Sequence, residues 1–506
     1  MKIVLTTLCY FIVAATFAQT NYNVEKFANT ITQKDLKQHL TYIAGNETEG
    51  RETATVGQRK AALYIEEQFK NLGLKPGNAN SFYQYFKVYQ DVLHSSSLKI
   101  YDAHFSLNNH YTIQPNSTSN GSISINQIVF ASYGLTDKTM NNYENIDIKG
   151  KWVMIIESNP EDIDKEKSGA DSRKSFTKIK TALDKGAIGV LLVSKNFDNP
   201  KYSTLPITGS MYVKKQSNNL STPIISISYQ AAASILTKTI VNFSDLKNIE
   251  TGTYTTQIVL NNNKETKTLE SSNVVGFLEG TDKKEEFVVL TAHYDHLGKK
   301  GDVIYYGADD DGSGTVTIIE MAEAFIKAKK KGYAPRRSIV FMTVSGEEKG
   351  LWGSDYYTQH PIYPLAKTTV NLNIDMIGRI DPTYKGDSLN YVYIIGDDKL
   401  SSDLTPISNN VNKLYKLELD RKYNDPKDPN RFYYRSDHYN FAKNGVPVIF
   451  YFNGVHKDYH RPSDTVDKIN FDLMTKRARY IFATAWEIAN RNDMLKRDIP
   501  LNMPAR

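Results

Sequence analysis

Between Thr30 and Gln84 apolar residues recur every three or four positions. Ala61, Ala62, Tyr64, Ile65 and Phe69 fall near one face, and Gly73 with Pro76-Gly77 closes the run. This spacing predicts two helices, within ITQKDLKQHLTYIAG and TATVGQRKAALYIEEQFKNLGL. Two short strands are expected around Tyr83 to Val92 and Ser97 to Leu107, and HYTIQPNSTSNGSISIN, from His110 to Asn126, reads as a polar, turn-rich bridge. Next come the strand patterns ISINQIVFASYG, WVMIIES, AIGVLLVS and TPIISIS, with the helices RKSFTKIKTALDKG and QAAASILTK among them. From Ser271 the signals strengthen. Strands FVVLTAH, SIVFMTVS, TTVNLNIDM, YVYIIG and VPVIFYF are interleaved with helices, one from Ser313 to about Ala328 and a last one through MTKRARYIFATAWEIANR. Continuous apolar strands alternating with helices predict an α/β fold whose sheet is covered on both faces.

Composition narrows the class. At 506 residues the chain is long enough for several domains. Its 62 basic and 56 acidic residues leave a formal charge of only +6, too small to mark a nucleic-acid binder. The densest basic run, Lys327 to Arg337, follows a helical pattern and ends at Gly332 and Pro335, so it reads as cations favoured at a helix C-terminus. Residues 1–18 begin Met1-Lys2, continue through an uncharged apolar run and end Thr16-Phe17-Ala18, the pattern of a cleaved signal peptide. The run is shorter than the roughly 20 residues that span a bilayer. A secreted or periplasmic chain with no membrane span after cleavage is therefore expected. Cys9, the one cysteine, would leave with the signal, so disulfides cannot staple the mature chain.

The ionisable residues fall at the ends of the predicted strands. His293 closes one, Asp310 follows in the next loop, and Glu347 and Glu348 lie just past another. Asp375 closes a further strand and His460 follows the last. Open α/β sheets bind ligands beyond the carboxyl ends of their strands. With Asp295, five carboxylates and two imidazoles would therefore converge, and so many acids need a compensating cation. A nitrogen and oxygen donor set without thiolate suits zinc, and five ligands, one of them bridging, fit two ions about 3.5–4 Å apart. Asp295, two residues after His293, is placed to orient that imidazole. In Glu347-Glu348 adjacent side chains diverge, so one can ligate while its neighbour acts as general base on the attacking water. In Asp309-Asp310-Asp311 any of the three is a candidate ligand. An EF-hand counted from Asp309 would end at Glu320, but the strand-like Val303 to Tyr306 precedes it where a helix is required. Ser436-Asp437-His438 are too close in sequence for a hydrolase triad, and Ser436 reads as the N-cap of the helix DHYNFAKNG.

Two resemblances follow from these segments. The runs KGAIGVLLV and PIISIS resemble the protease-associated domain, a small β-rich insert, over about 120–262. The segments AHYDH, GADDDGSG, SGEEKGLWGS, NIDMIG and DYHRPSD resemble, in order, the co-catalytic zinc aminopeptidase family, which includes glutamate carboxypeptidase and glutaminyl cyclases. The second resemblance implies a three-layer α/β/α sandwich around a mixed, mainly parallel sheet, with the smaller domain inserted. The expected boundaries are 1–18 signal, 19–115 and 265–506 peptidase domain, and 116–264 insert. It further implies two Zn2+ per chain, with Asp310 bridging, His293 and Asp375 completing one ion, and Glu348 and His460 the other. Glu347 would be the base, Tyr459 the phenol that stabilises the oxyanion, and Asp310-Asp311 a cis peptide. The implied activity is removal of N-terminal residues from peptides with a free N-terminus. A glutaminyl cyclase or carboxypeptidase on the same scaffold, and a non-catalytic receptor-like protein, are the rival readings. The pocket wall is expected from the loop Asp420 to Arg435.

Overall fold

The computed structural model describes residues 24–136, 140–163, 172–198, 208–213 and 222–503. The expected signal segment 1–18, with Cys9, lies outside them. Among the described residues no helix is long and apolar enough to cross a membrane. The chain divides into two compact units, Val88–Leu269 and the remainder on either side of it. The inserted unit thus begins at Val88, ahead of the expected residue 116.

In the larger unit the elements are helices α1 (Gln33–Ile43) and α2 (Val56–Leu72), then strands β1 (Gly252–Leu278, through its C-terminal part) and β2 (Lys283–His293). Helix α3 (Gly314–Lys330), β3 (Arg337–Val344), α4 (Trp352–Gln359), β4 (Thr368–Ile374) and β5 (Tyr391–Ile395) follow. The unit ends with α5 (Leu404–Tyr415), β6 (Glu418–Asp420), α6 (His438–Ala442), β7 (Val448–Phe452) and α7 (Phe471–Asn490). The first two helices start where Thr32 and Thr55 accept hydrogen bonds from Asp35 and Gln58 backbone N–H groups, and α2 stops at left-handed Gly73.

The strands are ordered β6-β5-β7-β4-β2-β3-β1. Neighbours β3 and β2, β2 and β4, and β4 and β7 run parallel, so their carboxyl ends share one edge. The outer pairs β1–β3 and β5–β7 are antiparallel. Alternate side chains enter opposite cores. Val288, Leu290, Ile449 and Tyr451 pack with Leu36, Phe69, Phe325 and Ile481 from α1, α2, α3 and α7. Val289, Val448, Phe450 and Phe452 pack on the other face with Tyr357 and Phe441 from α4 and α6. This is the expected sheet with helices on both sides.

The inserted unit has its own mixed sheet. The first part of strand Gly252–Leu278 pairs antiparallel with Gly121–Phe130, and the parallel strands Trp152–Ile156, Gly189–Val193 and Ile224–Ile227 follow in order. Its cores centre on Ile128, Met154, Leu191 and Ile235, and on Val153, Val190 and Ala182. Two sequence expectations change. The strands expected at Tyr83–Val92 and Ser97–Leu107 are largely one continuous strand, Tyr83–Ile100, because the polar break His94 to Ser97 continues the extended backbone instead of turning. The bridge 110–126 also contributes strand residues Tyr111–Ile113 and the start of Gly121–Phe130.

Candidate active site

Four neighbouring parallel strands place the site. His293 is the last residue of β2, Asp375 follows β4, Glu347 and Glu348 follow β3, and His460 lies in the loop after β7. Asp310 sits in the turn that opens α3. Because these strands share direction, the four loops that follow them meet at one edge. His293 Nε2 lies 3.2 Å from Asp310 Oδ1, 3.6 Å from Asp375 Oδ1 and 3.9 Å from Glu347 Oε2. His460 Nε2 lies 3.1 Å from Asp310 Oδ2 and 3.1 Å from Glu348 Oε2. Asp310 therefore presents one oxygen to each imidazole. Met376 and His460 both hold positive φ, 60° and 55°, a region that side chains with a Cβ seldom occupy and that packing must enforce.

The triple aspartate divides its work by hydrogen bonding. Asp309 Oδ1 accepts from Gly378 N–H at 2.7 Å and Ser313 Oγ at 3.0 Å. Asp311 accepts from the N–H groups of His293, Gly314 and Met376 at 3.2, 2.8 and 3.1 Å. These bonds tie β2, β4 and α3 together, and the other oxygen of Asp309, Oδ2, lies 3.2 Å from His456 Nε2. Asp310 alone of the three faces His293 and His460, and the Asp310-Asp311 peptide is cis. The EF-hand reading fails on the same evidence, since Glu320 on α3 faces His39 at 3.3 Å.

Charge is concentrated and buried. Burial pushes the Asp310 carboxyl up, but hydrogen bonds from His293 and His460 outweigh it and hold the group well below the usual carboxylate range. Glu348 feels burial and Asp310 in one direction and His296 and His460 in the other, and settles at about 2. Burial raises Glu347 well above its ordinary value; His293 opposes the shift and Glu348 adds to it. His460 is raised to about 10, since Asp310 and Glu348 outweigh the effect of its burial. Two adjacent carboxyls pushed apart in this way are the pattern of a ligand beside a proton carrier.

Two expectations need correction. Asp295 meets His293 through its backbone carbonyl, 3.1 Å from Nδ1, while its carboxylate is 3.8 Å away. The strand ends at His293, so the alternation of faces does not carry through to Asp295. Its carboxylate instead accepts from Thr53 Oγ1 at 2.7 Å and from Glu347 N–H at 3.2 Å, fixing the turn that bears the glutamate pair. Ser436 is not a helix N-cap: Asp437 precedes α6, and Ser436 Oγ donates to Asp375 Oδ2 at 2.6 Å. Ser436 in turn accepts from Asn373 Nδ2 at 2.8 Å, and Asn373 Oδ1 accepts from Thr291 Oγ1 at 2.6 Å, a buried row linking two strands to the site.

Residues outside the sequence-derived set also matter. His296 is wholly buried with Nδ1 2.8 Å from Glu348 Oε1 and 3.8 Å from Asp310 Oδ2. Asp464 Oδ2 accepts the N–H groups of Asp309 and Asp310 at 3.0 and 3.2 Å. Buried Arg51 donates to the carbonyls of Tyr294, Ile43, Tyr306 and Gly307 at 2.7–3.0 Å, clamping the loop that leads to Asp310. Asp464 closes a motif already singled out, but nothing local to Arg51 or His296 announces these partners.

The donors fit divalent ions. Ligand atoms of His293, Asp310 and Asp375 lie within 4.8 Å of one another, as do those of His296, Asp310 and Glu348. His460 Nε2, 3.1 Å from both Asp310 and Glu348, is a further donor beside this second group. Asp310 Oδ2 and Glu348 Oε1 are buried against the imidazoles of His460 and His296, a concentration of carboxylate that a cation relieves. Beside them is an open cleft lined by Glu347, Tyr459 and Arg435, with an apolar wall that includes Phe432, Phe450 and Phe452. Phe432 and Arg435 come from the end of the expected 420–435 loop.

The profile of peptidase family M28 matches residues 273–485. A probable leucine aminopeptidase of Arthroderma otae is 31% identical over 216 residues, 42% of this chain and 56% of that protein. A probable zinc metalloprotease of Pyrenophora tritici-repentis is 26% identical over 264 residues, 43% of this chain and 51% of that protein. The chain spans about half the length of these curated relatives. An aminopeptidase from Aneurinibacillus sp. strain AM-1 has a similar fold, with TM-score 0.56 at 19% identity, covering 96% of this chain and 100% of that one. The segment 273–485, which the profile of peptidase family M28 matches, carries His293, Asp310, Glu347, Glu348, Asp375, Tyr459 and His460.

Proposed function

We propose that the protein is a dizinc aminopeptidase that removes N-terminal residues from peptides. The observation that carries this reading is Asp310, whose two oxygens face two separate donor groups, one with His293 and Asp375, the other with Glu348 and His460. A carboxylate in that position would be shared by two ions. The zinc in the name of the Pyrenophora tritici-repentis relative supports the choice of metal. When bound, zinc supplies Lewis-acid polarisation of the scissile carbonyl and acidification of the attacking water.

The chain's own residues do the rest. Glu347 lines the cavity and takes the proton of the attacking water, then returns it to the leaving amine. Its raised affinity for protons suits that transfer. Tyr459 lines the same cavity, and burial, with Asp310 adding, raises its hydroxyl pKa above the usual value, so it remains a neutral phenol able to donate to the developing oxyanion. Phe432, Phe450, Phe452, Met376 and Val455 offer an apolar wall that favours a hydrophobic N-terminal side chain. Export through the 1–18 segment belongs to the same proposal.

The test is Glu347→Gln. Turnover of an aminoacyl amide should fall about 10²–10⁴-fold while metal analysis still finds two zinc ions per chain. Near-full turnover with zinc retained would remove Glu347 from its role. One zinc per chain together with cyclisation of N-terminal glutamine would replace the aminopeptidase reading.

A further inference from the structure

Tyr459 Oη takes part in a hydrogen bond whose direction is fixed by chemistry. Arg435 Nη2 lies 3.2 Å from it, and a guanidinium has five donors and no acceptor, so the phenol oxygen accepts. With one in-plane direction taken by the incoming N–H, the hydroxyl proton is left the other. Both residues line the cavity that also holds Asp310, Glu347 and Asp375. Neither partner is loosely placed. The Tyr459 ring stacks on His460 at 3.9 Å and 19°, and the Arg435 guanidinium lies 4.8 Å over the Phe432 ring. The Arg435 backbone N–H also donates to the Phe432 carbonyl at 3.0 Å, and the next residue, Ser436, is bonded to Asp375. The guanidinium is thus anchored on the same turn that orients a candidate metal ligand.

We infer that Arg435 is a positioning residue that holds Tyr459 as a hydrogen-bond donor toward the oxygen that becomes tetrahedral during hydrolysis. The inference rests on the aminopeptidase reading above and adds a residue to it. Removing Arg435 frees the phenol to turn its proton elsewhere, so the cost falls on the transition state rather than on substrate binding. An alternative use of an exposed arginine here is to bind a substrate carboxylate, which would show in KM instead.

Arg435→Ala, Arg435→Lys, Tyr459→Phe and the double variant Arg435→Ala/Tyr459→Phe are compared on aminoacyl amides, which carry no carboxylate. Binding of a phosphonate analogue of the tetrahedral state is followed by calorimetry. Tyr459→Phe should lower kcat about 10²-fold. Arg435→Ala should lower kcat about 3–10-fold with KM unchanged, as for loss of one ordinary hydrogen bond. It should weaken phosphonate binding by the same factor, lysine should restore part of the loss, and the double variant should be no worse than Tyr459→Phe alone. Additive losses in the double variant, or a change confined to KM, would overturn the role of Arg435 while leaving the aminopeptidase reading intact. A zinc-loaded wild type that hydrolyses no aminoacyl amide would overturn both. Arg435 is exposed, so thermal melts of its variants should match wild type.

Discussion

Asp309, Asp310 and Asp311 carry the same carboxylate, and only the backbone around them assigns their tasks. Asp311 is saturated by N–H donors, and Asp309 is held by N–H and hydroxyl donors on one oxygen and turned to His456 on the other, which leaves Asp310 as the one facing His293 and His460. Asp375 depends in the same way on Ser436, whose hydroxyl occupies Oδ2 and leaves Oδ1 toward His293. Ser436→Ala should therefore weaken zinc binding about 10-fold, read by competition with a chelator, with little change in unfolding by urea. Sequence motifs placed His293, Asp310, Glu347, Glu348, Asp375 and His460 because each ends or follows an apolar strand. Ser436 was misread because serine before a helix is an ordinary cap, whereas its real partner lies 61 residues upstream. Local pattern cannot report such a bond. Asp295 failed for a subtler reason, that its strand stops two residues short of it.

At the scale of elements, parallel strands of similar end-point bring their loops together, and the loops then need bracing. Arg51, from the segment between α1 and α2, braces the stretch from Tyr294 to Gly307 by three carbonyl contacts and ties it to Ile43 by a fourth. An ammonium has a single compact head and cannot match that fork. Arg51→Lys should cost about 2–4 kcal/mol in urea unfolding, since several buried carbonyls lose their donor. The elements themselves were largely legible. Threonine caps and Gly73 bounded α1 and α2, and the apolar runs located β2, β3, β4, β5 and β7. Helix α5 drew no expectation, and residues 83–100 looked like two strands, because a polar interruption in a strand resembles a turn when the hydrogen-bonding neighbour is not in view.

For the whole molecule, the cluster is unfavourable without cations. In metal-free protein, protons on the histidines stand in for them. The His460 pKa is raised from 6.5 to about 10, so its stabilising contribution is complete below about pH 6.5 and is lost as pH rises through about 10. Zinc replaces that proton and also stabilises the folded state by mass action. Chelator should therefore lower Tm more at pH 9–10 than at pH 6, and equal decreases at both would rule out histidine protonation as the substitute. The division of the chain has another consequence, in the order of synthesis. Helices α1 and α2 leave the ribosome about 180 residues before the strands they cover, since Val88–Leu269 is made in between. At roughly 5–20 residues per second that is a delay of about 10–40 seconds, during which Leu36, Leu40, Ile65 and Phe69 have no core to enter. The inserted unit can complete its own sheet in that interval, so the nascent chain carries a folded middle and an unsatisfied amphipathic beginning. Holdase chaperones or an adjacent protease would meet the N-terminal helices first.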